Sequence, residues 1–166
     1  MVKHNENLKG ETIIYKEIVK LSKRITILII VILVTSFILT LTLSIIFPPI
    51  VFLLIIIFFI VDTTALILYA NYRRLVISIS DNEISLKFGI FNDKTIPFEL
   101  IHKYEIIKPK FLTFGGVGVK IGLDGSWAYI TDFKQALKVE YKEHRTFVFS
   151  TRYPEKIIEI IKSNES

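Results

Sequence analysis

The chain of 166 residues contains no cysteine. It can therefore form no disulfide, no thiolate zinc site and no cysteine nucleophile, which fits a reducing compartment for any soluble part. Lysine, arginine and glutamate are also missing from two long stretches, residues 25–47 and 50–69. This distribution excludes a single ordinary soluble domain, since roughly half of the chain is apolar and most of the excess lies in these two stretches.

Each of these apolar stretches has about 20 residues, enough to cross a hydrocarbon core of about 30 Å. We predict transmembrane helices over residues 25–47 and 50–70, forming a hairpin within residues 25–72. Pro48 and Pro49 separate them, and proline ends a helix and favours a turn. A cleaved signal peptide is the alternative for the first stretch, but its apolar run exceeds a typical signal core and no Ala-x-Ala site follows.

Basic residues flank this hairpin at both ends. Six precede the first span, Arg73 and Arg74 follow the second, and the turn has none. Because positive charge marks cytoplasmic flanks, we predict a multi-pass protein of the cytoplasmic (plasma) membrane with both termini cytoplasmic. Attraction to the anionic inner leaflet then explains the net charge of +5. Acids and bases are interspersed elsewhere, so we expect no nucleic-acid partner.

Residues 1–24 precede the first span. Within residues 11–24, Ile14, Ile18 and Leu21 fall on one helical stripe, and lysines occupy the other positions. The pattern predicts a cytoplasmic basic amphipathic helix. This helix lies in the membrane interface in one interpretation. In the alternative interpretation it extends the first span or packs on the soluble domain.

From residue 73 onward, apolar and polar residues alternate with period two, broken by turn-forming pairs such as Asp81-Asn82. Residues 73–166 are thus predicted to form about seven short antiparallel strands, arranged as a sandwich or small barrel. The final segment YPEKIIEIIKS predicts a helix with Pro154 in its first turn and an apolar face that covers the open end of the barrel.

Five segments within residues 75–161 carry a recognisable pattern: ISISDNEISLKFGIF, TIPFELIHKYEI, FGGVGVKIG, ALKVEY and TFVFSTRYPEKIIEII. They resemble the prokaryotic pleckstrin-homology-like (PH-like) domains of small membrane proteins, in which a two-helix hairpin commonly comes first. The resemblance implies an α+β membrane protein with an antiparallel β-barrel of two near-orthogonal sheets, capped by the C-terminal α-helix. It implies no catalytic residues. Val117 and Lys120 stand where the family often has an aromatic residue and an arginine.

No segment carries a catalytic or cofactor motif. FGGVGVKIG is rich in glycine, but its spacing is not that of a phosphate loop and its alternation predicts a strand instead of the helix such a loop needs. His4, His102 and His144 lie far apart and lack partners at metal-ligand spacing. We therefore predict a non-enzymatic protein with no cofactor and no metal.

The connection KPKFLTF offers a candidate contact with lipid headgroups or a partner, through Lys108 and Lys110, with Lys120 further along. Its aromatic residues either dip into the bilayer or fill the core. We favour the core for Phe111 and Phe114, because hydrophobic residues beside strands are usually buried.

Asp62 interrupts the second apolar stretch. If the helices fold back at the two prolines, their common rise of about 1.5 Å per residue places Thr35 and Ser36 at its depth. We predict a polar knot that joins helix to helix; the alternative is a proton or ion relay in an oligomer.

Taken together, these features predict a PH-like binding or scaffold module held at the inner leaflet. Its partners would be the lipid bilayer and either another protein or a second copy of the chain. The alternative function is an accessory subunit of a transport or channel assembly that uses Asp62.

Overall fold

The computed structural model describes residues 12–46, 51–142 and 145–164. The chain divides into two compact units. The helical unit is Leu21–Tyr72, and the β unit takes the residues up to Lys20 together with those from Arg73 onward.

The helical unit contains α1 (Lys23–Ile46) and α2 (Val51–Tyr72). Both helices are long and apolar enough to cross a membrane. Four threonine hydroxyl groups within them bond to their own helix, as where Thr40 Oγ1 donates to the Ser36 carbonyl at 2.9 Å, so these groups add little polarity to the helix surface. The two helices predicted from the sequence are present, and their predicted turn at Pro48 and Pro49 lies outside the described residues.

The β unit forms two sheets from nine strands in the described residues. The strands are β1 (Ile13–Lys20), β2 (Arg74–Ser80), β3 (Glu83–Phe88), β4 (Asn92–Pro97), β5 (Ile101–Ile107), β6 (Gly118–Ile121), β7 (Trp127–Ile130), β8 (Ala136–Tyr141) and β9 (Arg145–Ser150). One sheet has the order β1-β2-β3-β4 and the other β5-β8-β9-β7-β6. A short helix α3 (Phe111–Phe114) follows β5, and helix α4 (Pro154–Asn164) follows β9.

The predicted fold class holds in its coarse form, α+β with two long apolar helices, and differs in detail. Neither sheet closes on itself. The prediction of purely antiparallel strands is wrong for one pair, since β7 runs parallel to β9. Alternation along a strand reports which side chains face the core and says nothing about strand direction, so this pairing was not readable from the sequence.

The predicted amphipathic helix over residues 11–24 is wrong, because Ile13–Lys20 forms strand β1. This strand pairs antiparallel with β2, and Lys20 lies opposite Arg74. The spacing that suggested a helix also fits a strand, since Ile14 and Ile18 are an even number of residues apart and share its exposed face. Pairing with a strand beyond both helices supplied the hydrogen bonds that decided the outcome.

The core of the β unit lies between the two sheets. Phe88 of β3 contacts Tyr129 of β7 with ring centroids 5.5 Å apart, and Tyr129 meets Phe147 of β9 edge-on at 4.9 Å. These aromatic pairs contribute about 0.5–1.5 kcal/mol each beyond the area they bury. The C-terminal helix is present as predicted and buries Ile157 and Ile161 fully.

A second apolar cluster lies on the opposite face of the five-stranded sheet. Phe114 of α3 packs there with Ala128, Ile130, Ala136 and Val148. Ala128 and Tyr129 are neighbours in β7 and therefore point to opposite faces. The five-stranded sheet is thus covered on both faces, and α3 supplies the outer cover.

Candidate functional site

A cleft of about 660 Å³ opens in the β unit, between β4 and one end of the five-stranded sheet. Its lining comes from the start of β4, the β6–β7 turn, and the adjacent ends of β7, β8 and β9. The lining residues are Asp93, Lys94, Asp124, Gly125, Ser126, Trp127, Tyr129, Tyr141, Arg145, Thr146 and Phe147. Because these residues belong to separate parts of the chain, the cleft is a product of the tertiary fold.

The β6–β7 turn forms a rigid wall of the cleft. Asp124 Oδ1 accepts hydrogen bonds from Ser126 Oγ at 2.6 Å and from Ser126 N at 3.1 Å. Gly125 takes the left-handed conformation, with φ of 77°, that closes the turn. The hydrogen bond from the Ser126 hydroxyl lowers the pKa of Asp124, with partial opposition from burial and further help from Lys138. The carboxylate is therefore held ionised and fixed in place.

The two acidic side chains of the cleft are paired with lysines that lie outside it. Asp124 lies 3.6 Å from Lys138 and Asp93 lies 3.8 Å from Lys87, and neither lysine lines the cleft. Both pairs are partly exposed and contribute little stability, but they partly offset the two acidic side chains. Among the residues that the structure describes, the cationic groups that face the cleft are Lys94 and Arg145.

Aromatic side chains surround these cations. Lys94 Nζ sits 4.9 Å from the centre of the Tyr141 ring, a distance at which the ring face attracts an ammonium. Trp127, the only tryptophan of the chain, is 52% exposed beside them. A pair of cations next to flat apolar rings suits a ligand with an anionic group and an adjoining apolar part.

The lysines predicted from the sequence lie elsewhere. Lys108 and Lys110 are exposed between β5 and α3, and Lys120 in β6 is half-buried. A Cβ added at Gly116 would lie 3.8 Å from Lys120 Cε, an ordinary van der Waals contact, so the Lys120 side chain lies beside this glycine. None of the three lysines lines the cleft.

The two aromatic residues of KPKFLTF have different environments. Phe114 is buried, as we favoured for both, whereas Phe111 is 63% exposed and meets the Phe133 ring edge-on at 6.0 Å. Leu112 beside it is also exposed. The core position that we favoured is therefore wrong for Phe111, the first residue of α3.

In the helical unit, Ser36 Oγ donates a hydrogen bond to Asp62 Oδ1 at 3.0 Å, joining α1 to α2. Thr35, the other residue predicted to lie there, donates instead to the Val31 carbonyl of its own helix at 2.8 Å. Neighbouring residues on a helix are about 100° apart, so only one of the two can face the partner helix.

The sequence reasoning missed a buried carboxylate, Glu17 of β1, which is 7% exposed. It accepts hydrogen bonds from Thr151 Oγ1 at 2.7 Å, from Arg152 N at 2.8 Å and from Tyr15 Oη at 3.2 Å. Burial, together with the neighbouring Glu17 charge, raises the pKa of Tyr15 to about 12. These hydrogen bonds to the Glu17 carboxylate, which we call the Glu17 latch, join β1 to the segment before α4.

Within the described residues, no three histidine, aspartate or glutamate side chains converge as a metal site requires. Comparison of the chain with protein-family models, with curated proteins and with solved structures finds no match.

Proposed function

We propose that this chain is an integral protein of the cytoplasmic membrane, with two transmembrane helices and both termini in the cytoplasm. It presents the β unit at the anionic inner leaflet as a non-enzymatic, PH-like binding or scaffold module. The cleft beside Trp127 is its binding site, and the ligand carries an anionic group such as a phosphate.

The observation that supports this topology is the pairing of β1 with β2, which precede and follow the two helices in the sequence. Lys20 lies opposite Arg74 in the same sheet, α1 begins at Lys23, and α2 ends at Tyr72. Paired residues on adjacent strands are only about 5 Å apart. The chain leaves this sheet after Lys20 and returns to it at Arg74. If the two helices between these residues span the membrane, they begin and end on the same side of it, which supports a hairpin with both termini on that side.

The topology is tested in intact cells with single cysteines, for which a chain free of cysteine is a clean background. A cysteine replacing Pro49 should react with an impermeant thiol reagent, whereas one replacing Glu159, exposed on α4, should react only after lysis. Labelling at Glu159→Cys in intact cells would contradict the proposed orientation.

The binding function is supported by the chemistry of the cleft. Lys94 and Arg145 attract an anion, and Trp127 and Tyr141 offer apolar surface to the rest of the ligand. A membrane-held domain meets phosphate groups chiefly as lipid headgroups, but a soluble phosphate ester has the same chemistry. The experiment must therefore offer both sources.

Because the only tryptophan lines the cleft, its fluorescence reports binding in the full chain held in detergent. Short-chain phosphatidylserine and inorganic phosphate serve as the lipid and the soluble probe. Replacing both Lys94 and Arg145 with alanine should remove about 2 kcal/mol, or about 30-fold in affinity. Lys103→Ala is the matched control, since that lysine is exposed on β5 and does not line the cleft. A response that the double replacement leaves unchanged would refute the site.

Lys108 and Lys110 form a separate candidate contact with the leaflet. Their replacement by glutamate should weaken binding of the β unit to anionic vesicles by about 1 kcal/mol or more per lysine. The fragment from Arg73 onward is unsuitable for this assay, because it lacks β1 and the Glu17 latch. Unchanged vesicle binding after charge reversal would leave these lysines without a role at the membrane.

A second function, an accessory subunit of a transport or channel assembly, rests on one observation, the carboxylate of Asp62 within an apolar helix. Ionisable groups in membrane spans often mark ion pathways. The hydrogen bond from Ser36 instead supports the structural role, because the carboxylate already has a partner on the facing helix.

A further inference from the structure

The turn between β3 and β4, residues 89–91, is unusual in the residues that it exposes. Ile90 is 72% exposed and Phe91 is 83% exposed. Gly89 has a φ of 76°, and Asn92 Nδ2 donates to the Phe88 carbonyl at 3.3 Å, so the turn is tight. Tight turns normally carry glycine, asparagine, aspartate or serine at their tips. Here the tip holds two large apolar side chains.

An exposed apolar residue is ordinary by itself, so the argument depends on where this turn lies. The strand register gives its location within the four-stranded sheet. Lys20 pairs with Arg74, Leu75 pairs with Phe88, and Phe88 pairs with Asn92. The turn therefore lies at the same end of the sheet as the two strand ends that connect to α1 and α2.

The connections at this end are short. Two residues separate Lys20 from the first residue of α1, and one residue separates Tyr72 from Arg74. An extended chain spans at most about 3.6 Å per residue, so neither connection is longer than about 11 Å. The polar zone on each side of the hydrocarbon core is about 5–8 Å thick, which is a distance that a projecting turn can bridge.

We propose that Ile90 and Phe91 insert into the lipid interface beside the hairpin and act as a third membrane contact. The inference rests on the proposed insertion of α1 and α2 in the bilayer. Lys20 and Arg74 lie at this same sheet end, on β1 and β2, and their charge complements anionic headgroups. Two spans alone leave the β unit free to tilt about its connections, and an inserted turn fixes its tilt relative to the membrane.

The test places a fluorescent label on single cysteines of the full chain in liposomes, with quenchers either on the lipids or in the water. Three positions are labelled: Phe91→Cys at the turn, Ile38→Cys in α1, and Glu159→Cys on the exposed face of α4. We expect the label at Phe91 to lose most of its fluorescence to lipids that carry a quencher near the headgroup. The label at Glu159 should respond only to the aqueous quencher.

The outcomes separate this inference from the proposed function. A label at Ile38 that lipid quenches, with one at Phe91 that only the aqueous quencher reaches, overturns the inserted turn and leaves the spans intact. A label at Ile38 that lipid does not reach refutes both. Protection of Phe91 from both quenchers indicates a protein occupant and overturns the proposal. Since Phe91 is largely exposed, its replacement should leave the fold intact, and Trp127 fluorescence provides that check.

Discussion

Replacing Glu17 with alanine is the sharpest test of how the β unit is held together. The carboxylate accepts from Thr151 Oγ1 at 2.7 Å and from Arg152 N at 2.8 Å, two bonds that join residues at distant points of the sequence. Hydrogen bonds to charged groups contribute about 1.5–3 kcal/mol each. Glu17→Ala should therefore lower the free energy of unfolding by about 3–5 kcal/mol, out of the about 5–15 kcal/mol typical of a domain.

Glu17→Gln isolates the charge from the shape. The amide keeps one oxygen for Arg152 N, while its nitrogen faces the Thr151 hydroxyl, which must turn to accept. We expect a loss of about 1–2 kcal/mol, because the charge assistance disappears and the packing stays. Lys16→Ala is the control on the same strand; its side chain is exposed, so the change should stay within about 0.5 kcal/mol.

Urea unfolding of the full chain in detergent, followed by Trp127 fluorescence, measures these differences. The tryptophan belongs to the β unit, so the signal reports that unit and not the helices. A double-mutant cycle with Thr151→Val should give a coupling of about 1.5–3 kcal/mol between the two side chains. If Glu17→Ala is no more destabilising than Lys16→Ala, water replaces the carboxylate and the latch contributes nothing.

Three other predictions follow from the geometry. Replacing residues 21–73 with Asn-Gly should give a soluble, cooperatively unfolding β unit, because a two-residue turn can join the paired strand ends. A chain that also lacks β1 should aggregate. Aggregation of the Asn-Gly variant itself would contradict independent folding. Asp62→Asn should be tolerated in detergent, since the amide can still accept from Ser36, whereas Asp62→Leu should cost about 0.6–2 kcal/mol. An Asn variant that is stable but loses ion flux in liposomes would favour the transport function. Finally, the pKa of Tyr15 is raised to about 12, so the fold favours its neutral phenol. The stability that this group contributes is present below about pH 10, its ordinary value, and is lost as pH rises through about 12. Tyr15→Phe should remove that part of the pH dependence of unfolding, and an unchanged alkaline profile would assign it to other groups.

The sequence reasoning succeeded where the decisive pattern was local. Strands β2 and β3 follow strict alternation, with Ile77, Ile79, Ile84 and Leu86 fully buried, and the pattern needs no partner to be read. The two apolar helices were equally clear from length and composition. The contact of Ser36 with Asp62 followed from helix rise alone, but helix rotation, which chose Ser36 over Thr35, did not.

The sequence reasoning failed where contacts with a distant segment determined the secondary structure. Strand β1 carries Glu17 on its inward face, and a charged residue in the core-facing row breaks the alternation that identifies a strand. What compensates for burying that carboxylate is a set of donors near residues 151 and 152. Nothing local to β1 reveals those donors, so the helical stripe was the better match within the segment.

The two apolar helices, the alternating strands and the amphipathic C-terminal helix could be predicted from the sequence, because each depends on the composition or the period of hydrophobic residues within one segment. Three features became visible only in the folded structure. Strand β1 pairs with β2 although both helices lie between them in the sequence, β7 runs parallel to β9, and Lys94, Trp127 and Arg145 line one cleft. The physical reason is the same in each case. These contacts join residues far apart in the chain, and their free energy exists only once both partners are in place.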